Sequence, residues 1–275
     1  VDFEDGVKSR HSKGIKLKKL AIFIRNYFFG LFSCLHLFSI GILTAQNRGR
    51  LADLCGFFGY RQKFVKPIIP KINPSTIIPE CLPVDIRSPE TRDGNVTLFE
   101  LLIMAKLVRV RQPKTIFEIG TYDGRTTLNL AANASPDAKI LTLDLPKNLR
   151  SATALKLVKS EERYINKEVC GERFERTDQE GKITQLYGDS ATFDFTSYAN
   201  SMDVVFIDGS HSSAYVRNDS LKAVPLLRDG HGIILWHDYD GWQDVTRVLN
   251  ELYLSGRPFD KIQHIEGTTL ACLIL

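Results

Sequence analysis

Beyond residue 84 the chain alternates between two kinds of apolar pattern. Short apolar runs bounded by turn residues, at Thr115–Ile119, Lys139–Leu143, Ile183–Leu186, Asp203–Ile207 and Gly232–Trp236, read as strands buried on both faces. Between them, Arg125–Asn133, Val216–Leu227 and Gln243–Leu254 carry the wider spacing of a helix with one buried side. Thr97 opens a further amphipathic helix, "LFELLIMAKLVRVRQP", which Pro113 ends. Strand and helix in alternation predict a parallel sheet with helices on both faces. The last two apolar runs, Phe259–Ile265 and Thr268–Leu275, have no helix between them and predict an antiparallel hairpin at the sheet edge. The expected architecture is α/β, a doubly wound, seven-stranded, mostly parallel sheet with an antiparallel C-terminal hairpin.

Upstream the pattern changes. Residues 1–64 read as a basic, then apolar, helical extension. Lys8, Arg10, Lys13, Lys16, Lys18 and Lys19 precede an apolar stretch, and Tyr27 to Ala45 holds 19 residues without a fixed charge. That length is at the threshold for crossing a bilayer, and the basic flank suits an anionic membrane surface. Arg25, Gly30, Ser33, His36, Ser39 and Gly41 dilute the signal, and a buried or dimer-forming helix in a homo-oligomer is the alternative. Five prolines between Val65 and Pro83 forbid a continuous helix or central strand, so residues 65–84 are expected to be an extended linker and residues 85–275 the globular domain.

Composition narrows the class only modestly. With 43% hydrophobic and 25% charged residues the chain is not disordered, and a net charge of +4 without a basic-aromatic stripe gives no reason to expect nucleic acid. The five cysteines, Cys34, Cys55, Cys81, Cys170 and Cys272, have neither paired nor zinc-type spacing, which favours a reducing cytoplasm.

The chemistry collects at one edge. In an open parallel sheet ligands bind beyond the carboxyl ends of the strands. Those ends read Glu118-Ile119-Gly120, Asp144, Gly188-Asp189-Ser190, Asp208-Gly209-Ser210-His211 and His237-Asp238. Any one acid there could be a helix cap; an acid at every end points to a site. Gly120 and Gly124 after the first strand suit a ligand approaching bare backbone, and Asp144 suits a ribose diol. A bulky residue at position 120 is therefore expected to block the ligand while leaving the fold intact. The segment G-T-Y-D-G-R lacks the dinucleotide fingerprint, and no phosphate-binding G-x-x-x-x-G-K-[ST] loop occurs.

Taken in order, "FEIGTYDGRTT", "TLDLP", "YGDSATFDF", "VVFIDGSHSSAYVRND" and "GIILWHDYDGW" resemble the class I S-adenosylmethionine-dependent methyltransferases, a Rossmann-like fold. Within these the chain is most similar to the macrocin O-methyltransferase-like branch. The resemblance covers roughly residues 93–275. It implies S-adenosyl-L-methionine as cofactor, held by Glu118, Gly120, Thr121, Tyr122, Gly124, Asp144, Gly188, Asp189, Ser190 and Asp208. It also implies a divalent cation such as magnesium or manganese at Asp208, His237 and Asp238. His211 stands where such enzymes carry a base, with Asp208 and His237 as further catalytic groups. The implied partner is a hydroxyl acceptor on a sugar, glycolipid or secondary metabolite. His237 in place of a carboxylate tilts the donor set away from magnesium, towards softer metals or a metal-free acid–base set. A cofactor-binding scaffold tethered by its N-terminal helix is the non-enzymatic alternative.

Overall fold

A computed structural model describes residues 2–44, 47–48, 51, 65–158, 161–167 and 169–275, the side chains of residues 2–17, 162 and 163 excepted. Cys55 and the rest of the extension lie outside the described residues. The chain divides into two compact units, Val1–Phe64 and Val65–Leu275. In the first, helix α1 runs over Asp2–Phe38 and is followed by a 3-10 turn at Ile40–Leu43.

The second unit is built on one sheet. Its strands are β1 (Lys71–Ile72), β2 (Thr115–Ile119), β3 (Lys139–Asp144), β4 (Ile183–Tyr187), β5 (Val204–Ile207), β6 (Ile233–Trp236), β7 (Gln263–Ile265) and β8 (Ala271–Ile274), in the order β1-β7-β8-β6-β5-β2-β3-β4. β8 runs antiparallel to β6 and β7, and every other pairing is parallel. Helices α2 (Leu98–Arg111) and α3 (Arg125–Asn133) cover one face. α5 (Ser213–Ala223) and α6 (Gln243–Leu254) cover the other, and the short α4 (Glu162–Ile165) belongs to the β3–β4 crossover. Successive strand residues point to opposite faces. Phe117, Val205 and Ile234 therefore enter one core while Ile116, Val204, Phe206 and Leu235 enter the other. This is why the central strands β5 and β6 are continuously apolar rather than alternating.

Two differences from the expected architecture have physical causes. Among the described residues the sheet has eight strands, because the stretch expected as a linker supplies β1, paired parallel to β7 at Lys71–His264 and Ile72–Ile265. Prolines bar this segment from the sheet interior but not from its edge. Ile69 and Ile78 anchor it in the cores, and the N–H groups of Ile68 and Ile69 donate to the Tyr239 hydroxyl at 3.0 Å. Helix α5 starts earlier and ends earlier than its apolar pattern. Ser212 caps its start, and Pro225 converts the end into a 3-10 turn over Val224–Leu226.

Candidate active site

The carboxyl ends of β2 to β6 face one cleft, divided into two cavities. The first is lined by Gly120, Tyr122, Asp144, Gly188, Asp189 and Ser190, with Asp208 to His211, crossover residues Leu157, Glu161, Tyr164 and Lys167, and apolar walls from Ile119, Leu143 and Leu145. The second is lined by Asp93, Gly94, Asn95, His237, Asp238 and Trp242. Tyr122, Tyr164, Asp208, Gly209 and His211 belong to both. Tyr122 and Asp238 adopt left-handed backbone conformations, at φ 49° and 66°, a local cost that clusters at functional sites.

At the first cavity, Asp144 Oδ2 accepts from the Tyr122 N–H at 2.8 Å, from Lys167 Nζ at 2.8 Å and from Cys170 Sγ at 3.0 Å. Burial and the Asp144 charge raise the pKa of Cys170, so its thiol is a hydrogen-bond donor rather than a nucleophile. Asp189 accepts from the Ala154 and Ala191 N–H groups at 2.7 and 2.9 Å and from the Tyr215 hydroxyl at 2.8 Å. The crossover is thereby locked onto the strand ends. It also ties the glycine turn, through Gly171 N–H to Tyr122 O and Arg173 Nε to Asp123 Oδ2 at 2.7 Å.

Three residues expected around the cofactor lie behind the cavity wall instead. Glu118 is fully buried on the α3 side of the sheet. Its Oε2 accepts from the hydroxyls of Thr127 and Thr142, and its Oε1 has no partner among the described residues. Burial pushes this carboxyl up to about 8 against the pull of the two hydroxyls. Thr121 is also buried, its hydroxyl 2.7 Å from that of Thr142. Gly124 is closed over by the crossover: a Cβ there would stand 2.6 Å from the Phe174 ring and 2.8 Å from Gly171 Cα. Gly120 does line the cavity, yet its freedom is demanded by the protein itself. At φ 102°, an added Cβ would lie 2.1 Å from the carbonyl oxygen of Asp208 on the neighbouring strand end. A side chain at position 120 therefore attacks the sheet as well as the pocket, which corrects the expectation that the fold would survive it.

Between the cavities the acids and histidines interlock. His211 stacks on Trp242, with ring centroids 4.4 Å apart and planes 7° from parallel. Its Nδ1 lies 2.6 Å from Glu161 Oε1 and its Nε2 lies 2.7 Å from Asp238 Oδ2. Burial opposes charge on this ring, but the two carboxylates prevail and push His211 up to about 10. His237 Nδ1 lies 3.1 Å from Asp208 Oδ1 and 3.2 Å from Asp238 Oδ2, and its Nε2 faces Glu100 Oε2 at 3.4 Å. Asp238, touching both rings, is held below the usual carboxylate range against its burial, whereas burial raises Asp208. Glu100 is held down at about 2: His237 and the N–H groups of Thr269 and Thr97 outweigh its burial.

Among the described residues, donor atoms of Asp208, His211 and Asp238 come within 4.8 Å of one another. This set has His211 where the sequence reading has His237, whose Nδ1 also lies 3.1 and 3.2 Å from the same two carboxylates. Two carboxylates and one imidazole fit a divalent cation of the manganese, iron or zinc type. Glu161 on Nδ1 would leave Nε2 as the ligand nitrogen, the usual outer-sphere arrangement for a metal-bound histidine. The sequence reading missed Glu161 and Glu100. Glu100 had one local signal, since Thr97-Leu98-Phe99-Glu100 is a capping box, and both its hydrogen bonds form. Nothing local announced Glu161. Of the two tryptophans near the strand ends, Trp242 walls the second cavity, while Trp236 is core, its indole N–H donating to Ser220 Oγ at 2.9 Å.

A parallel sheet with an antiparallel β8 set between β6 and β7, and with a cleft of acids across its strand ends, is the Rossmann-like fold of the S-adenosylmethionine-dependent methyltransferases. The family described as "Methyltransferase domain" matches residues 117–239, spanning β2 to the loop after β6. Among solved structures the chain is similar to the O-methyltransferase TomG from Streptomyces achromogenes, involved in tomaymycin synthesis and in complex with S-adenosylmethionine, at 19% identity and TM-score 0.46, covering 66% of this chain and 82% of that one. It is also similar to the Podospora anserina methyltransferase PaMTH1, bound to S-adenosylhomocysteine, at 18% identity and TM-score 0.48, covering 66% and 80%. An O-methyltransferase from Bacillus cereus, in complex with S-adenosylhomocysteine, aligns at 14% identity and TM-score 0.44, covering 69% and 84%. No curated protein matches the sequence.

Proposed function

We propose that the protein transfers a methyl group from S-adenosylmethionine to a hydroxyl oxygen of an acceptor seated in the second cavity. The observation that carries this reading is the shared wall: Tyr122, Tyr164, Asp208, Gly209 and His211 line both cavities, so ligands in the two meet across the acid–histidine cluster. When bound in the first cavity, S-adenosylmethionine supplies an electrophilic methyl on a sulfonium that departs as a thioether. Asp144 would accept the ribose hydroxyls, since its donors among the described residues fall on Oδ2. Asp189 and Tyr215 would flank the adenine.

The acceptor's proton must leave as the C–O bond forms. His211 was read from the sequence as the base, but at neutral pH it already holds both ring protons between Glu161 and Asp238. A carboxylate of the cluster is then the better proton acceptor. Asp208 suits this best: it lines both cavities, and burial makes it more basic than Asp238. His237 Nδ1 would steady Asp208, and His211 would orient Asp238. A divalent cation held by Asp208, His211 and Asp238 would instead displace the His211 Nε2 proton and take the place of the Asp208 base, lowering the acceptor hydroxyl's pKa and orienting it by chelation.

Aromatic faces from Trp242, Tyr122 and Tyr164 beside the polar groups of Asn95 and Asp238 suit a sugar ring. The sequence resemblance to the macrocin O-methyltransferase-like branch supports the same class, a sugar, glycolipid or glycosylated secondary metabolite. The test is transfer of isotopically labelled methyl to a panel of hydroxylated sugars, with chelator and with manganese restored. Label on oxygen that is lost in Asp208→Asn and stimulated by manganese supports the reading. Absence of calorimetric S-adenosylmethionine binding, or label on nitrogen or carbon, refutes it.

A further inference from the structure

The residues that line the two cavities all belong to the second unit, and α1, in the first, has an unusual surface of its own. Over Lys18–Phe38 it is long and apolar enough to cross a membrane, and none of that window is buried among the described residues. Phe23, Phe29 and Phe32 are 67%, 75% and 67% exposed, and Tyr27, Phe28 and Leu35 are exposed with them. At about 100° per residue, Phe23, Phe28, Phe32 and Phe29 project towards roughly 0°, 140°, 180° and 240° around the axis. A seam with one partner helix uses a narrow stripe, about two positions in seven. Apolar residues spread around the whole circumference instead describe a helix surrounded by an apolar medium. Water is the wrong solvent for so large a contiguous surface.

The charges specify the medium further. Lys8, Arg10, Lys13, Lys16, Lys18 and Lys19 all precede the apolar part. From Leu20 to Phe38 the helix is about 28 Å long, close to the thickness of a bilayer's hydrocarbon core. Its three strongly polar side chains, Arg25, Asn26 and His36, lie towards the ends, and Arg25 pairs with Asn26. Arg25 is about 8 Å along the axis from Leu20, within reach of the interface by an extended side chain, and His36 is about 3 Å from Phe38.

We infer that α1 is a lipid anchor: its apolar part, Leu20–Phe38, inserts into a bilayer, and the lysine-rich segment before it binds anionic headgroups. This goes beyond the methyltransferase reading and does not depend on it. The experiment is co-flotation of the purified full chain with vesicles of phosphatidylcholine, alone or mixed with phosphatidylserine, at low and high salt. The chain is expected to float with both, more strongly with the anionic vesicles, and to lose that preference at high salt. Replacing Lys16, Lys18 and Lys19 together by Gln should weaken partitioning onto anionic vesicles about a hundredfold. Phe28→Asp with Phe32→Asp should abolish flotation. S-adenosylmethionine titration of each variant shows whether the catalytic unit is intact and separates the two readings. A chain that floats but binds no S-adenosylmethionine keeps the anchor and loses the enzyme. A chain that binds S-adenosylmethionine but stays at the bottom of both gradients overturns the anchor. So does one that ignores vesicles and forms a dimer dependent on Phe28 and Phe32, which would assign this surface to a second copy.

Discussion

Replacing Gly120 by alanine tests whether the glycine turn serves the ligand or the sheet. The backbone there sits at φ 102°, a region side chains rarely adopt, at a cost of about 1–3 kcal/mol. The new Cβ would be 2.1 Å from the Asp208 carbonyl oxygen, 2.5 Å from its carbon and 2.9 Å from the Gly209 nitrogen. These are backbone atoms at the end of β5, where Asp208 N–H donates to Ile119 O at 2.8 Å, so no side chain can swing aside. Overpacking of this kind costs about 1–3 kcal/mol more. The sum, roughly 4 kcal/mol, is a large share of an ordinary domain's stability. In urea unfolding followed by circular dichroism it corresponds to a midpoint lowered by about 1–2 M. Gly181→Ala is the internal control: nothing lies within 4 Å of the added Cβ, and its midpoint should hardly move. A Gly120→Ala midpoint within about 0.3 M of the parent, with S-adenosylmethionine binding lost, would refute this reasoning and return the turn to a purely ligand-shaped role.

Two further outcomes follow from the buried and strand-end acids. The folded state raises the Glu118 carboxyl to about 8, so it binds a proton that the unfolded chain releases near 4.5. The associated stability is therefore fully present below about 4.5 and is lost as pH rises towards about 8, a loss of a few kcal/mol. Glu118→Gln should flatten that slope in urea titrations across this range, gaining on the parent as pH rises; an unchanged slope counts against the buried neutral acid. Asp144→Asn should weaken S-adenosylmethionine binding about tenfold or more by calorimetry while leaving the domain folded, since its loss removes a charged acceptor for a diol; unaltered affinity would displace the ribose from β3.

What local sequence determined here is the scaffold. β5 and β6 are continuous apolar runs with a polar full stop, β2 and β3 interrupt theirs only at Glu118 and Thr142, the edge strand β4 is mixed, and α3 and α6 begin and end where their apolar periods do. The acids at the strand ends were legible because parallel strands deliver their carboxyl ends to one edge whatever the loops between them do. Proline in residues 65–84 was read correctly as a bar to interior strands, but an edge strand needs only two ladder residues, Lys71 and Ile72, too few to leave a period. Glu118 and Thr121 differ from Tyr122 and Asp144 only in which way the side chain turns. Alternation along β2 sends Glu118 into the α3 face, and one-dimensional spacing does not say which face holds the ligand. Glu161 reaches His211 across 50 positions of chain, and Glu100 reaches His237 across 137. Contacts of that range exist only once the crossover and α2 have packed on the sheet. The sequence by itself therefore determined where acids and histidines would gather, because periodicity and strand polarity are local properties. Tertiary structure decided which of them face the ligand, which hold protons and which brace the wall, because pKa and access are set by neighbours that only folding brings together.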